Sequence, residues 1–89
     1  TRVLAAKLVK ENILVNAIAP GPYPSAMLGS AVNSDYSDIE KRNPRGRIGS
    51  PEDIAGLTIF LCSRAGAYTV GETITSDGGI VKTTSHNLG

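Results

Sequence analysis

The sequence predicts an α/β protein organised around a parallel sheet, and three observations carry this prediction. Residues 13–18 form a short, almost continuously apolar run, which is typical of a strand buried on both faces of such a sheet. Residues 50–53 carry the signals of a helix start, and residues 71–76 form a second run rich in β-branched side chains. A strand, a long loop with a helix, and a second strand make one βαβ unit, whose right-handed crossover sets the strands parallel.

The composition is that of a globular protein. The 89 residues include ten glycines, are 40% hydrophobic and carry a formal net charge of +1. This near-neutral balance provides no basic patch, so neither nucleic acid nor a membrane is expected as a partner. No apolar run approaches the roughly 20 residues of a membrane span, and the first residues lack a signal-peptide pattern, so a cytoplasmic location is expected. The single cysteine, Cys62, lies in an apolar helical pattern and is interpreted as a core residue.

The first segment predicts a helix and then a strand. Residues 1 to about 10 repeat apolar side chains with a helical period, and Glu11 and Asn12 close the helix. The helix has no cap before Thr1, and a strand that is apolar on both faces needs further strands and helices around it. We therefore expect the chain to be part of a longer domain.

The middle of the chain is predicted to be mostly a long loop. Residues 20–50 contain four of the five prolines and four of the ten glycines, with room for short helices over 25–32 and 37–42. A connection of this length in a compact domain is more often a lid or a binding loop than a structural tie.

A helix with well-marked ends follows this loop. Ser50 is a suitable N-cap, Pro51 occupies the first helical position, and Glu52 and Asp53 place acids in the first turn. The helix is expected to end within residues 63–66. The second strand then runs to residue 76, and the polar tail over 82–89 is expected to be loose.

The segment just past the first strand is where a ligand is expected. In α/β sheets ligands bind beyond the carboxyl ends of the strands, which here means residues 19–25. Pro20 restricts the backbone, and Gly21 lacks a Cβ, so a flat ring can approach the main chain. An ordinary strand-ending turn is the alternative interpretation, and the spacing alone does not decide between them.

Several ordered motifs now resemble one known family. They are Val15-Asn16-Ala17-Ile18-Ala19-Pro20-Gly21 with Ser25 four residues on, Arg47-Ile48-Gly49-Ser50-Pro51-Glu52-Asp53-Ile54-Ala55, Gly71, and Asp77-Gly78-Gly79. In order and spacing they resemble the C-terminal portion of a short-chain dehydrogenase/reductase. The resemblance implies that residues 1–89 are the C-terminal part of a single NAD(P)-binding domain with a Rossmann-type, doubly wound parallel sheet.

The resemblance implies a role for this chain in holding the cofactor, NAD or NADP. By resemblance, Pro20 and Gly21 pack against the nicotinamide ring, and the backbone at Tyr23 hydrogen-bonds its carboxamide. Ser25 stands where the family usually has Thr, and it keeps the hydroxyl that reaches the carboxamide or the pyrophosphate.

Residues 26–46 correspond to the substrate loop of the family. Met27, Leu28 and Tyr36 are its candidate apolar substrate contacts, and the alternative is that they anchor the loop to the body of the domain. The prolines on either side of Tyr23 are similar to the pattern of some β-ketoacyl reductase-like members.

The catalytic residues of the family are not found in this chain. The family's proton donor is a Tyr followed four residues later by Lys, whereas Tyr23, Tyr36 and Tyr68 are followed at that spacing by Met27, Glu40 and Glu72. No stretch has the glycine spacing of a dinucleotide phosphate loop. The resemblance places both features before Thr1, so no catalytic residue and no metal ligand is assigned here.

Four other polar residues invite a functional interpretation. We expect Asn16 to hydrogen-bond neighbouring backbone. Arg47 and Asp77 are candidates for an ion pair or for capping backbone groups near a subunit contact, with solvated surface charges as the alternative. His86, in the polar tail, is given no role.

The resemblance implies an oxidoreductase that transfers hydride between the nicotinamide and a carbonyl or alcohol carbon, with a homo-oligomer, dimer or tetramer, as its usual assembly. A non-catalytic member of the fold that acts as a binding or scaffolding subunit is the alternative, and an independent interaction module is a third. A Tyr-x-x-x-Lys sequence just before Thr1 would favour the enzyme.

Overall fold

The computed structural model describes residues 1–24, 29 and 35–83. Its helices and strands, in chain order, are α1 (Arg2–Leu8), a 3₁₀ turn (Val9–Glu11), β1 (Ala17–Pro20), α2 (Ser37–Arg42), α3 (Pro51–Cys62), a second 3₁₀ turn (Arg64–Gly66), β2 (Thr73–Ser76) and α4 (Ile80–Thr83). The helix predicted over 25–32 lies outside the described residues.

The two strands pair in parallel, as the βαβ pattern predicts. Ala17 lies opposite Thr73, and Pro20 lies opposite Ser76. The carboxyl ends of β1 and β2 therefore meet at one edge of the sheet. The helix α3 lies on the connection between them.

The first strand begins later than residue 13, where the sequence suggested that it starts. The segment opposite residues 13–16 turns at Gly71, whose φ is +73°, so the regular ladder begins only at Ala17. Asn16 connects the two segments ahead of the ladder. Its Nδ2 donates to the Thr69 carbonyl at 2.9 Å, and its Oδ1 accepts from the Glu72 N–H at 3.0 Å. The interpretation of Asn16 as a residue that hydrogen-bonds backbone is confirmed.

The helix ends follow the local signals. Asn12, at φ 62°, closes the 3₁₀ turn after α1 in the left-handed conformation. At α3, the Ser50 hydroxyl accepts from the Asp53 N–H at 3.3 Å, and the Asp53 carboxylate accepts from the Ser50 N–H at 2.8 Å. This reciprocal capping box, with Pro51 in the first turn, confirms the predicted start of α3.

Burial differs from the sequence prediction. β1 is half-buried to exposed rather than covered on both faces, and Cys62, predicted in the core, is exposed. Among the described residues, Ala5 is the one apolar side chain that is buried, whereas Val3 is 72% and Ile59 67% exposed. The physical reason is that the strands and helices of the described ranges provide too few layers to cover the apolar faces that they carry.

A short helix, α4, follows the second strand. Lys82, expected in a loose tail, lies in α4, and the rest of that tail is outside the described residues. None of the helices in the described ranges has the length and apolar character needed to cross a membrane.

Replacing Asn16 with Ala should destabilise the protein by about 1 kcal/mol, because the Thr69 carbonyl and the Glu72 N–H each lose a partner. Urea-induced unfolding measures this change. Glu72→Ala, which leaves the backbone N–H of that residue in place, is the matched control and should change stability by less than about 0.5 kcal/mol. Equal stability of Asn16→Ala and the control would contradict the assigned role.

Candidate functional site

The predicted site lies where β1 and β2 end side by side. Beyond the last paired residues, the Gly21 N–H donates to the Ser76 carbonyl at 2.9 Å. The two strand segments therefore stay together for one residue past the ladder. Gly21 therefore lies directly against Asp77. This is the edge of the sheet at which ligands bind in α/β folds.

The Tyr23 side chain is fixed at two points. Its hydroxyl lies 2.6 Å from the Ser76 hydroxyl, across 53 residues of sequence. Its ring lies against the backbone of Gly49, where an added Cβ would fall on the ring itself. The Gly49 N–H also donates to the Pro22 carbonyl at 2.9 Å. The segment after β1 is therefore fastened both to β2 and to the residues that lead into α3.

An apolar groove opens beside Tyr23. It has a volume of about 350 Å³ and is lined by Pro20, Tyr23, Pro24, Pro51 and Ile54. Three of these five residues are prolines, whose restricted backbone keeps the walls in place. The groove offers apolar, preformed walls of the kind that bind a flat ring.

Two other depressions adjoin the same edge. One, of about 280 Å³, is lined by Pro20 and Gly21 together with residues of β2 and α4. The other, of about 250 Å³, is polar, and its lining includes Tyr23, Ser76 and Arg47. Pro20 thus borders both apolar depressions, and Tyr23 borders both the apolar groove and the polar one.

Contacts within the chain explain why residue 21 is a glycine. A Cβ on Gly21 would stand 2.5 Å from the Cβ and 2.7 Å from the Cα of Asp77. Such contacts are far below van der Waals distance, so any side chain at Gly21 would force the strand ends apart. The sequence interpretation, in which the missing Cβ admits a ligand ring, is therefore not needed to explain this glycine.

The Asp77 carboxylate caps the turn that follows β2. Its oxygens accept from the Gly79 N–H at 2.9 Å and from the Val81 N–H at 3.1 Å. The backbone hydrogen bond from Val81 is the main cause that lowers the pKa of Asp77 from its ordinary value. Of the alternatives left open for this residue, backbone capping is the one observed.

Arg47 pairs with Asp53, so the candidate pairing of Arg47 with Asp77 is wrong. Its guanidinium donates to the two carboxylate oxygens of Asp53 at 2.6 and 3.2 Å, in a bidentate arrangement. The Arg47 guanidinium, followed by the N–H of Ser50, holds the pKa of the Asp53 carboxyl well below its usual range. Arg47 binds Asp53 because Asp53 lies in the first turn of α3, close to the loop that carries Arg47. The Asp77 oxygens already accept hydrogen bonds from backbone N–H groups.

Asn43 is a residue of this site that the sequence interpretation missed. Its side chain is 5% exposed, its Nδ2 donates to the Asp77 carbonyl at 3.2 Å, and its Oδ1 accepts from the Arg45 N–H at 2.9 Å. It lies against Gly78, which has φ +70°. Asn43 thereby ties the loop before α3 to the turn after β2. The Asn43-Pro44 pair was the available signal, because Asn before Pro favours a turn.

The structure brings only part of the predicted site together. Pro20 and Tyr23 share the apolar groove, whereas Gly21 lines the neighbouring depression. Tyr36, predicted to contact substrate, lies at the N-cap of α2 and is not among the residues that line these three depressions. The other predicted residues, Ser25, Met27 and Leu28, lie outside the described residues.

The ionisable side chains described at this site are engaged with neighbouring groups. Within the described ranges, no group of three His, Cys, Asp or Glu side chains is placed to hold a metal ion. The Tyr23 hydroxyl is engaged with Ser76, and the Asp53 and Asp77 carboxylates are held by neighbouring donors. The site therefore supplies apolar walls and fixed backbone.

Comparison with known proteins identifies close relatives. Residues 1–81 match the family model described as enoyl-(acyl carrier protein) reductase. The 3-oxoacyl-(acyl-carrier-protein) reductase FabG of Aquifex aeolicus is 39% identical over 80 residues, covering 90% of this chain and 32% of its own. The rhamnolipids biosynthesis 3-oxoacyl-(acyl-carrier-protein) reductase of Pseudomonas aeruginosa is 46% identical over 82 residues, covering 89% and 32%. The chain thus spans about a third of the length of these relatives.

A solved structure shows the same arrangement. The Pseudomonas aeruginosa RhlG/NADP active-site complex superimposes with a TM-score of 0.78 at 44% identity, and the match covers 88% of this chain and 32% of that one. The described elements therefore have the arrangement found within a larger α/β domain.

Replacing Gly49 with Ala should destabilise the protein by about 1–3 kcal/mol, because the new methyl group would displace the Tyr23 ring. Denaturant unfolding measures the loss. Gly56→Ala, within α3, is the matched control: nothing lies within 4 Å of its added Cβ, and stability should rise by up to about 1 kcal/mol. A Gly49→Ala protein as stable as the Gly56→Ala protein would show that the ring does not lie on Gly49.

Acid should destabilise the fold through Asp53 and Asp77. The folded-state pKa of each carboxyl lies below its ordinary value, so the stabilisation is complete at neutral pH. It is lost as pH falls below about 4, the ordinary pKa of Asp. Thermal unfolding from pH 7 down to pH 3 should show a shallower acid loss for Asp53→Asn than for the exposed control Asp38→Asn. Parallel pH profiles for the two variants would contradict this assignment.

Proposed function

The chain belongs to the short-chain dehydrogenase/reductase family, and on this premise we propose that residues 1–89 are the C-terminal part of an NAD(P)-dependent oxidoreductase. In this proposal the chain completes a single Rossmann-type domain and supplies the walls of its nicotinamide site. The observation that carries the proposal is the preformed apolar groove at the end of β1, which Pro20 and Tyr23 line together.

The residues of the groove fit the nicotinamide end of a dinucleotide. Its proline and isoleucine walls suit a planar ring, and Pro20 is exposed at the rim of the groove. Among the described residues, none accepts a hydrogen bond from the Tyr23 backbone N–H. Tyr23 is half-buried, and a carboxamide oxygen would be a suitable acceptor for its N–H.

A bound dinucleotide supplies or accepts hydride at C4 of its nicotinamide. The part of this chain in the reaction is orientation. Pro20 and Gly21 are proposed to pack against the ring, and the backbone N–H of Tyr23 to bind the carboxamide. The hydroxyl of Ser25 is proposed to bind the carboxamide or the pyrophosphate. The loop over 26–46, with Met27 and Leu28 as proposed contacts, covers the substrate and excludes water.

The loop over 26–46 is anchored near its C-terminal end. Asn43, buried at its end, binds the carbonyl of Asp77, so the last residues of the loop cannot move away from β2 without breaking that bond. Tyr36 lies at the N-cap of α2 within the same loop, and we retain it as a proposed substrate contact.

The substrate class proposed is a carbonyl compound or the corresponding alcohol. Two relatives are named 3-oxoacyl-(acyl-carrier-protein) reductases, and a 3-oxoacyl thioester is therefore the first substrate to test. We also propose a cytoplasmic dimer or tetramer. The strongly exposed Val3, Leu4 and Ile59 on α1 and α3 are available for contacts with the rest of the domain or with another subunit.

The proposed function is tested on the full-length protein by fluorescence titration with NADPH and NADH and by oxidation of the reduced dinucleotide with a 3-oxoacyl thioester. Binding of one dinucleotide and thioester-dependent oxidation are expected. Binding without oxidation of either dinucleotide, across carbonyl substrates, would favour the scaffolding subunit. Absence of binding would overturn the proposal.

Pro20→Ala should weaken dinucleotide binding about fivefold, since it removes about 1 kcal/mol of apolar contact with the ring. Titration of the purified variant measures this. Thr58→Ala, on the exposed side of α3, is the control and should bind as the unmodified protein does. Unchanged affinity in Pro20→Ala would place the ring elsewhere.

A further inference from the structure

Tyr23 forms the wall between two neighbouring depressions. It lines the apolar groove with Pro20 and Pro51, and it also lines the polar depression with Ser76. Its hydroxyl is held on the polar side by Ser76. The position of this one ring therefore sets the width of the apolar groove.

Ser76 contacts the segment after β1 twice. Its carbonyl accepts from the Gly21 N–H at 2.9 Å, and its hydroxyl lies 2.6 Å from the hydroxyl of Tyr23. The first contact continues the sheet and does not depend on the side chain. The second is made by the side chains alone, and it ties residue 23 to the last residue of β2.

Two further contacts limit the positions that the Tyr23 ring can take. On one face it lies on the backbone of Gly49, where not even a Cβ would fit. Pro22 and Pro24, on either side, restrict the backbone rotations that would be needed to swing Tyr23 away. The hydrogen bond between the Tyr23 and Ser76 hydroxyls restricts rotation of the ring further.

We propose that Tyr23 and Ser76 are a positioning pair: their hydroxyl–hydroxyl bond fixes the ring and, through it, the backbone N–H of Tyr23 in the orientation that binds the nicotinamide carboxamide. This inference rests on the proposed function and adds to it a role for two side chains. Neither residue takes part in proton or hydride transfer. The pair acts before binding, by removing conformations of Tyr23 that the cofactor would otherwise have to select against.

Four variants of the full-length protein test the pair: Tyr23→Phe, Ser76→Ala, the double variant, and Ser76→Thr. The Kd for the reduced dinucleotide is measured by fluorescence titration, together with its KM, kcat and the melting temperature. Each single loss of a hydroxyl should raise Kd and KM about fivefold with kcat changed less than about twofold. The Kd of the double variant should be about the same as that of each single variant, because each single substitution already removes the same hydrogen bond.

Ser76→Thr keeps the hydroxyl on a strand-compatible side chain and should return Kd to within about twofold of the unmodified protein. Single variants that lower the melting temperature but leave Kd unchanged would overturn the positioning role. Effects of the two substitutions on Kd that add in the double variant would overturn it as well. If Ser76→Ala does not fold, Tyr23→Phe, which loses one oxygen atom, decides the question on the same criteria. An unmodified protein that binds neither NADPH nor NADH overturns the proposed function itself, whereas binding with unaffected variants overturns the positioning pair alone.

Discussion

Parallel pairing of β1 with β2 is the interaction on which the site depends. Its register places Pro20 opposite Ser76, so the residues that follow each strand meet at a single edge. Gly21 can then lie against Asp77, and Tyr23 can reach the Ser76 hydroxyl. A shift of one residue would turn every side chain of β2 to the opposite face and separate these contacts. The Tyr23 ring that lines the groove is thus held in place through the strand register.

Local sequence signals were sufficient to predict β1, β2 and α3, but not α4. The capping residues Ser50 and Asp53 and the turn at Asn12 were placed correctly, because each acts on backbone groups a few residues away. The start of β1 was not, because a strand extends only where its partner does, and the partner turns at Gly71. Burial was predicted least well, since periodicity shows which face is apolar but not whether another layer covers it.

The contacts that shape the site were beyond sequence reasoning. Asn43 binds Asp77 across 34 residues, and Tyr23 binds Ser76 across 53. The Asn43-Pro44 pair signals a turn but does not show which residue Asn43 contacts. Gly21 shows a related limit. An added Cβ at Gly21 would meet Asp77, which gives this glycine a packing role, and its contact with a nicotinamide ring stays a prediction. Packing within the chain is therefore sufficient to explain the glycine, and the proposed nicotinamide site is supported by the apolar groove instead.

The most direct measurement is a crystal structure of the full-length protein with its dinucleotide bound. The account predicts that the pyridine ring lies against Pro20 in the apolar groove, with the carboxamide oxygen about 3 Å from the Tyr23 backbone nitrogen. A ring bound away from Pro20, with the Tyr23 nitrogen facing solvent or protein, would contradict it.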